Sequence, residues 1–567
     1  MSPRLSRALL IAAGLAHSTV LAQVAPDPGR ILSETERAKR RELPPTTAPS
    51  AGVPAAPSAA PRPSGDAART VTVYVRRIII PEGLALSQSE VDAAMEGKLG
   101  RRLNFIEIFD RLDVIAAMLK EKGYPFARVF LPEQRVTEAD IRVRVYTGVV
   151  ESIEAIPAKP NPRTSPESVA RRVGSALAPG QAFRVPDAER GLLLAADLVG
   201  RPVSGQLSPG TEVGTTKLAV GYEDVPPVSW QVGADNFGNK FAGRERLSGD
   251  GRLHGALLAG DLTNFGLTLS QDLIGFRLGY QAPLGYSGWT AGLAYSDIHY
   301  ALSGAFAGFE GDARELKLST SYPLIRTRAS SLYLEAAFAS RDLSTVNGPF
   351  DLPRTVEAAS VGLRGEFYDS ALGGGVTTAD LTFVSGDASA DSFLDPANFR
   401  GATGSYSKVL LGLSRLQRVT DLTTFLANLR VQATGDNLDT SEQGSLGGPF
   451  GVRAYANEEA TGDEYVILSL ELRRTLADTW SAKAFYDHGN VNITKEVYSG
   501  FSGEKSYSLQ AVGIGADWSG SLLGSSTVFS VTLATGIGGN PGLNAQGLDS
   551  EGGSSDTRLW LSLTSRF

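Results

Sequence analysis

Leu559-Trp-Leu-Ser-Leu-Thr-Ser-Arg-Phe567 is the last stretch of the sequence. Leucine stands at 559, 561 and 563, the two-residue period of a β-strand with one apolar face, and the stretch finishes on an aromatic side chain. Outer-membrane β-barrels close on a strand of this kind, and Phe567 is accordingly read as an assembly signal.

Working back from that strand, residues 227–567 show amphipathic segments of ten or so residues broken by Gly, Asn, Asp and Ser. The pattern predicts an all-β transmembrane barrel of 16 antiparallel strands, from 229–236 to 556–567, with the eleventh near 422–435, the twelfth near 463–474 and the thirteenth near 480–487. Every second connection is tight (285–286, 368–372, 418–421, 475–479), while those between tend to be long (298–311, 387–403, 436–462, 537–555). The one near 271 is too short for that alternation. A soluble β-sandwich would also alternate. Against it stand the strand lengths, the loop asymmetry and the aromatics Trp230, Tyr280, Tyr286, Trp289 and Trp480 near strand ends, where interfacial girdles form.

Ahead of the barrel, 68–148 reads as a strand (70–80), helices (87–96, 105–122) and strands (127–131, 140–146), and 149–223 repeats the order. Two small α/β modules in tandem are expected. Before them, 43–67 is studded with Pro44, Pro45, Pro49, Pro54, Pro57, Pro61 and Pro63, a composition that stays extended. At ~3.1 Å per residue, roughly two dozen residues reach about 70 Å, against a hydrocarbon core of ~30 Å. Residues 23–42 contain a charged, helix-favouring run after Gly29 with too few apolar residues to bury a broad face, so this helix suits solvent or a polar lumen. Residues 1–22 carry Arg4 and Arg7 before a short apolar run, and read as a secretory signal cut after Ala22.

Composition removes other classes. A formal charge of −7 and pI near 5.4 exclude a basic nucleic-acid-binding surface, and with no cysteine the chain has no disulfide or thiolate metal site. His254, His299 and His488 are scattered, without ligand spacing or a nucleophile partner. In Gly233-Ala-Asp-Asn-Phe-Gly-Asn-Lys240, Asn239 stands where a phosphate-binding loop needs lysine. No cofactor and no enzymatic activity are expected.

Two segments carry the function. The connection at 436–462 contains Gly447-Gly-Pro-Phe-Gly-Val-Arg-Ala-Tyr455, and the thirteenth strand contains Phe485-Tyr-Asp-His-Gly489. A guanidinium and a carboxylate form a forked pair that is stronger in a confined lumen than at an exposed surface. These segments resemble the sixth outer loop and the facing strand motif of the Omp85 superfamily, in which a Val-Arg-Gly-Tyr/Phe tip folds into the lumen. The resemblance implies a latch of Val452, Arg453, Ala454 and Tyr455 against Phe485, Asp487 and Gly489, with Arg453 on Asp487. Ala454 replaces the family's glycine, so a positive φ there would be costly. The run from Gly123 to Gln134, closing at Gly148, resembles the first polypeptide-transport-associated (POTRA) domain of two-partner secretion transporters, and Leu207-Ser-Pro-Gly-Thr-Glu-Val-Gly214 the matching turn of the second.

Across the mature chain the sequence is similar to two-partner secretion transporters of the ShlB/FhaC/HecB type. That implies a Gram-negative outer-membrane pore with POTRA domains in the periplasm and a plug formed by residues 30–41. It also implies a secreted partner (a TpsA-like exoprotein), the barrel-assembly machinery and outer-membrane lipid as partners, with no nucleic acid. Two rivals share parts of the pattern: an insertase that assembles other barrels, and a passive porin, which leaves the α/β modules unexplained.

Overall fold

The computed structural model describes residues 26–39, 66–135, 139–212, 214–522 and 524–567. The expected signal at 1–22 and the bulk of the proline-rich linker lie outside the described residues. Among those residues no helix is long and apolar enough to cross a membrane, and the crossing elements are strands.

Sixteen strands close into one antiparallel barrel. They are β1 (Val228–Asp235), β2 (Arg246–His254), β3 (Leu262–Ser270), β4 (Leu273–Leu284), β5 (Trp289–Ala301), β6 (Phe309–Arg326), β7 (Ser330–Asn347) and β8 (Phe350–Asp369), followed by β9 (Gly375–Ala390), β10 (Gly404–Thr420), β11 (Thr423–Thr434), β12 (Glu464–Ala477), β13 (Trp480–Asn492), β14 (Ser506–Leu522), β15 (Ser525–Gly536) and β16 (Thr557–Arg566). Register follows the side-chain alternation. Leu247, Phe265, Leu278 and Leu293 are exposed on the outer face, while Gln231, Asp250, Asn264 and Arg277 fall on the inner one. Closure pairs β1 with β16 from Gln231↔Arg566 to Asp235↔Ser562, and the Phe567 ring stacks on Trp230 with centroids 3.8 Å apart.

Strand ends differ from the expectation on one side. β6, β7 and β8 run to 18, 18 and 20 residues, and β7 turns into β8 directly after Asn347. The hairpin at 271–272, between β3 and β4, is equally tight. Two connections on the long-loop side, 271–272 and 348–349, are therefore short; at the second, the long strands β7 and β8 carry their pairing up to the turn itself.

In the first α/β module, helices Gln88–Ala94 and Phe105–Glu121 each start at a capping box, Ser87 with Glu90 and Asn104 with Glu107. Ile108, Leu112, Ile115 and Leu119, on one helical face, pack on Val75, Ile78 and Ile141. The strand expected over 70–80 is interrupted at Arg76, and Arg101–Asn104 is an additional strand, paired antiparallel with Thr72–Val75. In the second module, Thr215–Tyr222 lies between a parallel Val149–Pro157 and an antiparallel Ser204–Pro209. Its helices, Pro166–Gly174 and Val185–Val199, meet the barrel rim. Arg172 Nη1 donates to Gly285 O at 3.1 Å, Arg190 Nη2 to Pro323 O at 2.8 Å, and Arg326 pairs with Asp197 at 2.6 Å. The module thus sits against the turns that follow β4 and β6, which places those short turns on the module side of the barrel.

The N-terminal helix α1 (Pro28–Lys39) begins inside the lumen. Asp27 Oδ1 caps it, accepting from Gly29 N at 2.9 Å and Arg30 N at 3.3 Å. Ile31 and Leu32 are buried with Tyr300, Leu302, Leu343 and Val356, and Tyr300 Oη donates to Pro26 O at 2.7 Å. The helix is polar overall, yet its first turn uses its two large apolar side chains to seat on the wall.

Candidate functional site: a loop latched across the lumen

The long connection between β11 and β12 turns inward and is buried for most of its length. Its tip is a knot of main-chain bonds: Val452 N donates to Leu446 O at 2.7 Å, Gly448 N to Tyr455 O at 3.1 Å, and Leu446 N to Glu459 O at 3.1 Å. Gly448 takes φ +91°, which glycine adopts without strain, and a Cβ on Gly451 would overlap the Leu446 carbonyl. Ala454 is absent from the positive-φ residues. The non-glycine left-handed positions of the loop are Glu458 and Ala460, further along, so the alanine fits the tip without backbone strain.

Arg453 is the centre of the tip. Its Nε donates to Asp487 Oδ2 and its Nη2 to Asp487 Oδ1, both at 2.8 Å, the forked geometry of a guanidinium on a carboxylate. Nη1 reaches Glu471 Oε2 at 2.7 Å, Nη2 also reaches Ser469 Oγ at 3.0 Å, and the Arg453 main-chain N donates to Asp487 at 3.2 Å. Asp487 is fully buried and Arg453 nearly so. Taking such a pair from water is costly, and it is tolerated when every donor and lone pair is satisfied. Here Arg473, bonded to Glu471 at 2.5 Å, balances the second carboxylate. The Phe485 ring lies beneath the guanidinium, 3.3 Å from Cζ to the centroid.

The neighbouring positions shape the seat. Val452 is buried against Gly489, where a Cβ would come within 2.9 Å of the valine methyl, so the bare backbone of Gly489 admits the loop. Tyr455 Oη donates to Gln510 O at 3.2 Å. The structure thus gathers Val452, Arg453, Ala454 and Tyr455 of the tip against Phe485, Asp487 and Gly489 of β13. Phe567 stands apart from them, at the closing seam. Ser469, Glu471 and Trp560 belong to the same seat and were not singled out from the sequence. For Ser469 and Glu471 the signal was a polar alternation, Ser469-x-Glu471-x-Arg473, on one face of the strand.

Helix α1 shares this loop as its floor. Asp27 Oδ2 accepts from Thr440 Oγ1 at 2.6 Å and pairs with Arg354 of β8, while Arg30 pairs with Glu458 at 3.2 Å. Arg354 also holds Asp439 at 2.9 Å.

The haemolysin secretion/activation protein model ShlB/FhaC/HecB matches residues 214–517, more than half of the chain. The protein belongs to that family. A ShlB-type POTRA model matches residues 73–148. The heme/hemopexin transporter protein HuxB of Haemophilus influenzae strain 86-028NP is 23% identical over 451 residues, spanning 76% of this chain and 78% of that one. The outer membrane transporter CdiB of Dickeya dadantii strain 3937 is 24% identical over 460 residues, 78% of each. Among solved structures, CdiB from Escherichia coli superposes with a TM-score of 0.72 at 20% identity over 96% of this chain and 100% of that one. CdiB from Acinetobacter baumannii gives 0.68 at 14%, covering 95% and 98%. These likenesses establish the fold. ShlB/FhaC/HecB proteins are two-partner secretion transporters of the Omp85 superfamily, and the latched loop and helix fill the lumen of an outer-membrane barrel of that kind.

Proposed function

We propose that the protein captures an unfolded, TpsA-like exoprotein in the periplasm and passes it through the barrel to the cell surface. The observation that carries this reading is what fills the lumen. A packed core would fix the barrel shut, but here the filling is one loop and one helix, held by ion pairs and hydrogen bonds, by Ile31 and Leu32 of the helix, and by an apolar cluster around Leu446, Val452 and Tyr455 of the loop. Both are removable, and a 16-strand wall is wide enough to enclose an aqueous channel once they move.

In this reading the two α/β modules stand in the periplasm, on the side of the short turns. The client adds to an exposed edge, Val149–Pro157 or Ser204–Pro209, as an extra strand recognised through its main chain. Helix α1 leaves first, the latch at Arg453 opens next, and client folding outside supplies direction. The barrel-assembly machinery receives the strand that ends in Phe567, and outer-membrane lipid covers the apolar band.

Conductance in planar bilayers tests the pore. Deletion of residues 28–39 raises the open fraction, and an unchanged open fraction refutes the plug. Secretion of a co-expressed exoprotein, lost when Arg453→Ala is introduced into a fully assembled barrel, tests the latch.

A further inference from the structure

The latch at Arg453 is one end of a longer seat. Glu442, on the rising limb of the same loop, is buried against the facing wall. Its Oε1 pairs with Arg341 Nη1 of β7, and its Oε2 with Lys408 Nζ of β10 at 2.7 Å. Its main-chain carbonyl accepts from Lys408 Nζ at 2.7 Å and from Gln432 Nε2 of β11 at 3.0 Å. Arg341 is steadied from the other side by Glu315 of β6 at 2.5 Å. Three residues earlier, Asp439 is held by Arg354 at 2.9 Å.

The charges are arranged with opposite sense at the two ends. The rising limb brings carboxylates to a basic patch of wall on β7, β8 and β10. The tip brings a guanidinium to an acidic patch on β12 and β13. In a closed barrel β7 and β13 are six strands apart, so the loop is tied to well-separated parts of the wall. Either end released alone leaves the other desolvated ion cluster intact, and buried paired charges of this kind are costly to separate.

We infer that Glu442 is a positioning residue for the pore: with Arg341 and Lys408 it forms a second anchor that keeps the loop across the lumen when the Arg453–Asp487 contact is broken. The inference rests on the reading of the loop as the pore's constriction. It places the helix on the same anchor, because Asp27 shares Arg354 with Asp439. Departure of the helix therefore takes Asp27 from Arg354 beside the rising limb and Arg30 from Glu458 beyond the tip, and breaks none of the contacts of Arg453.

The test combines two readouts on full-length variants. The chain has no cysteine, so Ser445→Cys reports loop lifting through its labelling rate with a water-soluble maleimide. Arg453→Ala and Glu442→Gln alone each change that rate by less than about threefold, and the pair raises it by more than about tenfold, the signature of coupled sites. Lys408→Met in place of Glu442→Gln removes the same anchor from the wall side and gives the same pattern. A rate for Arg453→Ala alone equal to that of the double variant overturns the second anchor. Bilayer conductance of the same variants, each lacking residues 28–39, is read beside a variant lacking 436–462. If the loop deletion conducts no better than its parent, the constriction reading fails, while labelling still decides the anchor.

Discussion

Trp560 donates its indole N–H to the main-chain carbonyl of Arg453 at 2.7 Å, tying the last barrel strand to the tip of the inward loop. The same ring packs edge-on against Phe237, just beyond β1, and Phe237 against Phe450 of the loop. Loop and closing seam are therefore held by one aromatic group. Trp560→Phe keeps the ring and deletes the donor. A buried carbonyl left without its partner costs about 1–3 kcal/mol. The expected outcome is faster proteolysis of the 436–462 segment in an assembled barrel, with the heat-modifiable shift of the barrel unchanged.

Arginine and lysine are predicted to be far from interchangeable at 453. Lysine supplies charge without the fork that satisfies both oxygens of Asp487. Arg453→Lys should lose secretion nearly as fully as Arg453→Ala, with the barrel still assembled. Asp487→Asn leaves the buried guanidinium under-compensated, at a cost of about 3–5 kcal/mol to the latched state. Secretion of the partner together with urea-resistant migration on gels separates lost latching from lost folding.

Gly29 lies so close to Ser441 that a Cβ on it would overlap the serine Cβ. Gly29→Ala is favourable for helix propensity, yet it should lift α1 off its floor. Its single-channel open fraction should approach that of the variant lacking residues 28–39.

The second module contains a pH-sensitive turn. Glu151 accepts from Thr211 N at 2.6 Å and Thr215 Oγ1 at 2.9 Å, and pairs with Lys217. The bond from Thr211 is the main influence holding its carboxyl down, to about 2 from an ordinary value of 4.5, against some desolvation. A depressed carboxyl stabilises the fold above its unfolded value and loses that contribution as pH falls. Protection of the Thr211 amide against hydrogen exchange should persist above pH 4.5 and decline as pH drops towards 2. Glu151→Gln should show the weaker protection above pH 4.5 and no comparable decline on acidification.

The barrel was legible because strands facing lipid on one side and water on the other write a period of two into the sequence, and counting back from Leu559–Phe567 assigns Asp487 to the thirteenth strand. The Arg453–Asp487 pairing followed from two short motifs. Its companions did not: Glu471 and Trp560 join the seat through register, and register across a seam or between neighbouring strands is set by pairing that no local pattern states. Arg101–Asn104 was hidden for another reason. Arg-Arg-Leu-Asn has one apolar residue, Leu103, and becomes a strand only by pairing with Thr72–Val75. Helix α1 read as suited to solvent or to a polar lumen because Ile31 and Leu32 are its only large apolar side chains, and its depth in the lumen depends on Arg354 and Thr440, hundreds of residues away.

The unequal strand lengths give the molecule a lopsided skyline. A tilted strand crosses the bilayer in about 9–11 residues, whereas β6, β7 and β8 have 18, 18 and 20 and are joined to their neighbours on the module side by the short turns at 327–329 and 370–374. At ~3.3 Å per residue and a tilt near 45°, the surplus raises this flank roughly 20 Å beyond the membrane, while β1 to β3 barely clear it. The mouth of the pore is thus walled higher at β6 to β8 than at β1 to β3, and its open approach lies on the side of the closing seam.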